Sequence, residues 1–112
     1  MAKVQFDVLR SKAFGAITGS YTTLGTALTQ NWRVFKITNN TDGDLLISLN
    51  GTDNNMFVPK ESFSLYDLAT NSVNVQNSDW FVMAIGSQFY VKYSTAPTTG
   101  DVWVEAIFST GV

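Results

Sequence analysis

The chain has 112 residues, no Cys and no His, 7 Lys and Arg against 9 Asp and Glu, and 45% apolar residues. Without His and Cys, triads built on them, thiol chemistry, disulfides and the usual zinc sites are excluded. The formal charge is −2 and the basic residues Lys3, Arg10, Lys12, Arg33, Lys36, Lys60 and Lys92 are scattered, which argues against nucleic acid as a partner because phosphate binding needs clustered cations.

Charged residues make up only 14% of the chain, against about 25% in typical domains, so the surface reads as one meant to be covered. The length suits one hydrophobic core, and no repeat or break in composition divides it, so residues 1–112 read as a single domain. MAKVQFDVLR has no continuous apolar stretch, and the longest apolar run is Trp80 to Ile85. Neither a signal peptide nor a membrane span is expected. The N-x-T sequons at Asn39 and Asn50 read as chance in an Asn- and Thr-rich chain.

In chain order the period is two. KVQFDVLR (3–10) alternates with Val4, Phe6 and Val8 on one side, and Ala13 to Thr18 is a short apolar segment closed by Gly19-Ser20. WRVFKIT (32–38) puts Phe35 and Ile37 on one face and Trp32 and Val34 on the other. Asp42-Gly43 and Asn50-Gly51 are hairpin signals flanking a strand that carries Leu45, Ile47 and Leu49. Met56 to Val58 is a strand stopped by Pro59, which cannot donate to a ladder. FSLYDL (63–68) alternates again, and a polar loop over 69–79 precedes Phe81 to Ile85. QFYVKYS (88–94) has Phe89, Val91 and Tyr93 in phase, and TAPTTG (95–100) leads to a last strand with Val102, Val104, Ala106 and Phe108 in phase. Eight to nine short antiparallel strands with frequent turns predict an all-β sandwich or barrel.

The carboxylates Asp7, Asp42, Asp44, Asp53, Asp67, Asp79, Asp101, Glu61 and Glu105 are the only catalytic candidates of their kind. A glycosidase needs two at a set separation, but most sit at turns, where Asp bonds nearby amides. Glu105 lies opposite the apolar phase of its strand, positioned to face solvent or pair with a Lys. No enzyme and no cofactor is expected. Asp42, Asp44 and Asp53, with Asn40 and Asn50, are hard oxygen donors of the kind calcium takes, from adjacent turns, but their spacing fits no EF-hand and no metal site is expected. Trp32, Trp80, Trp103, Tyr66, Tyr90 and Tyr93 offer an aromatic platform of the kind a carbohydrate-binding module uses, weighed against an ordinary core role.

ITNNTDGDLLISLNGTDNNMFVPKESFSLYDLATN (37–71) and GSQFYVKYSTAPTTGDVWVEAIF (86–108) resemble small structural proteins of tailed bacteriophages. The shared elements are I-S-L-N-G-x-D, V-P-x-x-S-F followed by Y-D-L, G-x-x-x-Y-V-K and a P-T-x-G turn. The resemblance implies a jelly-roll-like sandwich and a virion component, made in the host cytoplasm. The role implied is a capsid decoration or cement protein on the major capsid protein lattice, or else a neck, tail or fibre protein. It carries over no site residue and does not reach the first 30 residues.

Strands apolar on both sides predict an interface, with Trp103 and Tyr90 as its first candidates. Residues 1–10, with Val4 and Phe6, read either as an arm that adds a strand to a neighbour's sheet or as an ordinary first strand. A dimer or trimer, no nucleic acid and no membrane complete the expectation.

Overall fold

Period-two apolar spacing becomes two antiparallel sheets packed face to face in the computed structural model, which describes residues 3–68 and 83–110. The strands are β1 (Lys3–Phe6), β2 (Arg10–Ala13), β3 (Thr22–Thr23), β4 (Trp32–Asn39), β5 (Leu45–Ser48), β6 (Met56–Val58), β7 (Ser62–Asp67), β8 (Tyr90–Tyr93) and β9 (Asp101–Thr110). A five-stranded sheet runs β1-β9-β4-β7 with β2 also on β9, and a four-stranded sheet runs β3-β8-β5-β6. The predicted strand at 81–85 lies partly outside the described residues; Met83 bridges to Trp32, and Ile85 is exposed.

The core is the sum of the inward phases. Val102, Val104, Ala106 and Phe108 of β9 and Phe35 and Ile37 of β4 pack with Leu45, Ile47, Val58 and Val91 of the other sheet and with Phe89, just before β8. Burying each large apolar side chain contributes about 1.5–3 kcal/mol, which makes this layer the main source of stability. Trp32 departs from its expected side. A register shift between Trp32 and Val34 against β9 turns the indole inward, beside Phe35 rather than opposite it. Its ring lies 5.9 Å from Phe35 and 5.6 Å from Phe89.

The N-terminal segment is an in-chain strand. Lys3–Phe6 pairs with Ile107–Thr110, Asp7 N–H donates to Ala106 O at 3.0 Å, and Arg10 faces Val104. Val8 and Leu9 therefore stand against Glu105 alone, a bulge separating β1 from β2. The bulge drives Arg10 inward. Its guanidinium donates to the Thr26, Val8 and Ala27 carbonyls at 2.9, 3.0 and 3.3 Å, lies 3.5 Å from the Asp7 carboxylate, and sits 5.0 Å over the Trp32 ring. A buried charge persists only with partners of this kind. Burial pushes the Asp7 carboxyl up, but the Trp32 indole, the Val8 amide and Arg10 together hold it below its ordinary value.

Asp42-Gly43 does not close a hairpin, because β4 and β5 belong to different sheets. Buried Asn39 makes the corner: its amide donates to the Gly43, Val58 and Pro59 carbonyls, and its Oδ1 accepts from the Thr41 amide and hydroxyl. The Asn39 sequon is thus internal. Asn50-Gly51 does sit in a hairpin loop, between paired β5 and β6, with Gly51 at φ 76. No helix among the described residues is long and apolar enough to cross a membrane.

Candidate functional site

Alternation gives the five-stranded sheet a second, outward phase. Cross-strand rows on it run Phe6–Ile107–Val34, Glu105–Lys36–Leu65 and Trp103–Thr38–Phe63. Phe6 is 81% exposed, and Phe63 and Leu65 are each 59% exposed. Lys36 Nζ lies 3.8 Å from Glu105 Oε1 and 4.7 Å over the Phe63 ring. Glu105 thereby takes the Lys partner that its position opposite the apolar phase allows. Phe6, Val34, Lys36, Leu65, Glu105 and Ile107 line a shallow depression of about 230 Å³. The surface is largely apolar, with one half-exposed ion pair at its centre.

The expected interface residues divide between the two sheets. Trp103 is half-buried on this face, with its indole N–H donating to Asp101 Oδ1 at 2.7 Å. Phe6 is beside Ile107; Val4 holds the β1 position opposite Ser109, and its side chain lies outside the described set. Tyr90 belongs to β8, opposite Thr23 and Ser48 in the other sheet, near Gly51. Trp103 and Tyr90 therefore share no surface, because they sit on different layers of the sandwich. Val34, Lys36, Phe63 and Leu65 were not singled out by sequence, although the alternation of FSLYDL already placed Phe63 and Leu65 in one phase.

The other candidates disperse. Trp32 is fully buried and offers no sugar platform; Trp80 and Asp79 lie outside the described residues. Asp44 accepts the Lys60 amide at 2.9 Å and Asp53 the Asn50 side-chain amide at 2.8 Å. Asp42 accepts the Thr98 hydroxyl, and the Thr98 and Thr99 amides at 2.6 and 3.2 Å. Asp53 bonds within its own loop while Asp44 and Asp42 tie theirs to Lys60 and to Thr98 and Thr99, and no group of three or more Asp or Glu placed to hold a metal ion occurs among the described residues.

Those bonds, the Thr98 hydroxyl first, hold the Asp42 carboxyl below its ordinary value. The unfolded chain then binds more protons in that window, so stability rises with pH through it. The stability difference between the native chain and Asp42→Asn should be full above about pH 3.9, the ordinary Asp value, and fade as pH falls through the lowered folded-state value. Melts of both chains from neutral to strongly acidic pH check this, and a difference independent of pH would rule it out.

No protein-family model, curated protein or solved structure matches this chain.

Proposed function

We propose that the chain is a non-enzymatic component of a tailed-phage virion, a capsid decoration protein that binds and stabilises the major capsid protein lattice. One observation carries the reading: the outer face of the five-stranded sheet, with Phe6, Phe63 and Leu65 exposed around the Lys36–Glu105 pair. Large apolar side chains exposed together on one face mark a protein contact surface. Repetition over a lattice multiplies a modest single-site affinity. The motifs over 37–71 and 86–108 supply the virion context.

Strand order supports the jelly-roll form of the sandwich. With β1 and β2 counted as one bulged strand, the sheets read 1-9-4-7 and 3-8-5-6, and from β2 to β9 only β5–β6 is a hairpin within one sheet. Every other connection changes layer, as the paired Greek keys of a jelly roll require.

Quantitative mass spectrometry of purified virions tests the role. A copy number equal to the major capsid protein, or a simple lattice fraction of it, is expected for decoration. A handful of copies would assign the chain to the neck, tail or fibres instead. Its absence from the particle would overturn the virion reading and favour a carbohydrate-binding module, for which Trp103, on this same face, is the one outward-facing Trp among the described residues. Phe6→Asp should weaken binding to stripped particles at least about tenfold, or 1.4 kcal/mol. Its melting temperature should stay within about 4 °C, the usual reach of a surface change.

A further inference from the structure

We infer that Asn50 is a latent self-modification site, at which the Gly51 nitrogen would displace the Asn50 side-chain amide, and that the fold holds it shut through Ser48. Asn50-Gly51 is the chain's single Asn-Gly pair. With no Cβ, a glycine leaves its own nitrogen open to the carboxamide of the residue before it. The step is a ring closure. Gly51 N gives up its proton and bonds Asn50 Cγ, while Nδ2 takes up a proton and leaves as ammonia. Solvent water then opens the five-membered imide at either carbonyl, giving Asp or its β-linked isomer at position 50.

The β5–β6 loop is bonded against each part of that step. The Gly51 N–H, whose proton must go first, donates to Ser48 Oγ at 3.0 Å. Ser48 is fully buried, so this proton is held on the protein side of the loop, away from solvent base. The same hydroxyl accepts the Asn50 N–H at 3.2 Å and donates to Asn50 Oδ1 at 2.9 Å. Asn50 Oδ1 also accepts the Thr52 and Asp53 amides at 2.9 and 2.8 Å, and Nδ2 donates to Asp53 Oδ2 at 2.8 Å. Gly51 is fixed as well, at φ 76 and with the Tyr90 ring 3.5 Å from where a Cβ would stand.

Two effects oppose each other here, and the proton decides between them. Three donors on Oδ1 polarise the carbonyl and by themselves favour attack. Yet a main-chain N–H bonded to a buried hydroxyl ionises only when the loop opens, and opening also removes those three donors. The reaction therefore belongs to the opened loop. Its product does not close again in the same way. Asp at position 50 has no N–H for Asp53 and sets one carboxylate against another. The β-linked isomer lengthens the main chain by one carbon inside the turn. A copy that has once opened for long enough carries a permanent mark of it.

Peptide mapping by mass spectrometry, after incubation at mildly alkaline pH, reads Asp and its isomer at position 50. The native chain should react there at least about tenfold more slowly than the urea-unfolded chain. Ser48→Ala should recover most of that difference with circular dichroism unchanged. A second measurement needs no substitution: in urea below the unfolding transition, the Asn50 rate and hydrogen exchange of the Gly51 N–H should rise in parallel. Equal rates in native and unfolded chains, or a faster native rate, would overturn the inference. So would a folded Ser48→Ala chain that reacts no faster, or Gly51 exchange that does not track the Asn50 rate.

Discussion

Trp32→Ala is expected to leave the chain largely unfolded at 37 °C. The side chain is fully buried, stacked on Phe89 and tilted against Phe35, with Arg10 over its face. Truncating a buried Trp costs about 3–5 kcal/mol through lost packing and the cavity left behind. A second loss comes from Nε1, which donates to Asp7 Oδ2 at 2.6 Å. Removing that donor leaves a half-buried carboxylate underbonded beside Arg10, at about 1–3 kcal/mol. Together these approach the whole stability of an ordinary domain, about 5–15 kcal/mol. Trp32→Phe separates the parts: it keeps most of the ring packing and loses only the donor. Urea unfolding should place it between the native chain and Trp32→Ala. A loss under about 2 kcal/mol for Trp32→Ala would contradict the central place given to this side chain.

Gly100→Ala should be nearly as damaging, for a different reason. Gly100 has φ 91, and a Cβ there would stand 1.9 Å from Asn40 O and 2.9 Å from Thr41 Cα. Backbone cannot swing aside as a side-chain tip can, and Asn40 is held in turn by its N–H bond to Asp101 O at 2.9 Å. Left-handed strain of about 1–2 kcal/mol adds to an overpacking cost of about 1–3 kcal/mol or more. Two other glycines isolate the contributions. Gly86 has φ 92 with nothing within 4 Å of its notional Cβ, so Gly86→Ala should show the strain alone. Gly15 has open space and no positive φ, so Gly15→Ala should be neutral or stabilise by up to about 1 kcal/mol. Melting temperatures should fall in the order Gly15→Ala, Gly86→Ala, Gly100→Ala. If Gly86→Ala and Gly100→Ala melted together, steric contact at the Asn40 corner would have no part in the loss.

The strands that kept one phase from end to end were legible in the sequence. Val102, Val104, Ala106 and Phe108 needed only alternation to be assigned to the core, as did Phe89 and Val91. Trp32 was misassigned because a register shift leaves no mark in residue order. Asp42-Gly43 and Asn50-Gly51 look alike as dipeptides, and only the second joins paired strands. The first is diverted by Asn39 and Thr41: the Asn39 amide, at the end of β4, donates to the Val58 carbonyl of β6 in the other sheet, and so acts only after the layers meet. The same limit separated Trp103 from Tyr90, because alternation assigns a side chain to a face of its strand but does not say which sheet the strand joins. Arg10 read as one of several scattered cations, and its burial depends on Thr26 and Ala27 accepting from it, a contact across 16 or 17 positions.

The position of β9 has a consequence for the order of events during synthesis. It is central in its sheet, paired with β1, β2 and β4, yet it is made after all of them. At about 5–20 residues per second, the roughly 60 residues from Asn39 to Asp101 keep β4 waiting about 3–12 s for its neighbour. Until then β1 and β2 have no ladder to join, and the five-stranded sheet cannot begin from its N-terminal side. Completion of this sheet therefore waits for β9, and its folding is dominated by distant pairings, on the order of milliseconds to seconds. A ribosome paused before Val102 would hold a chain whose β1 and β2 still lack the strand they pair with.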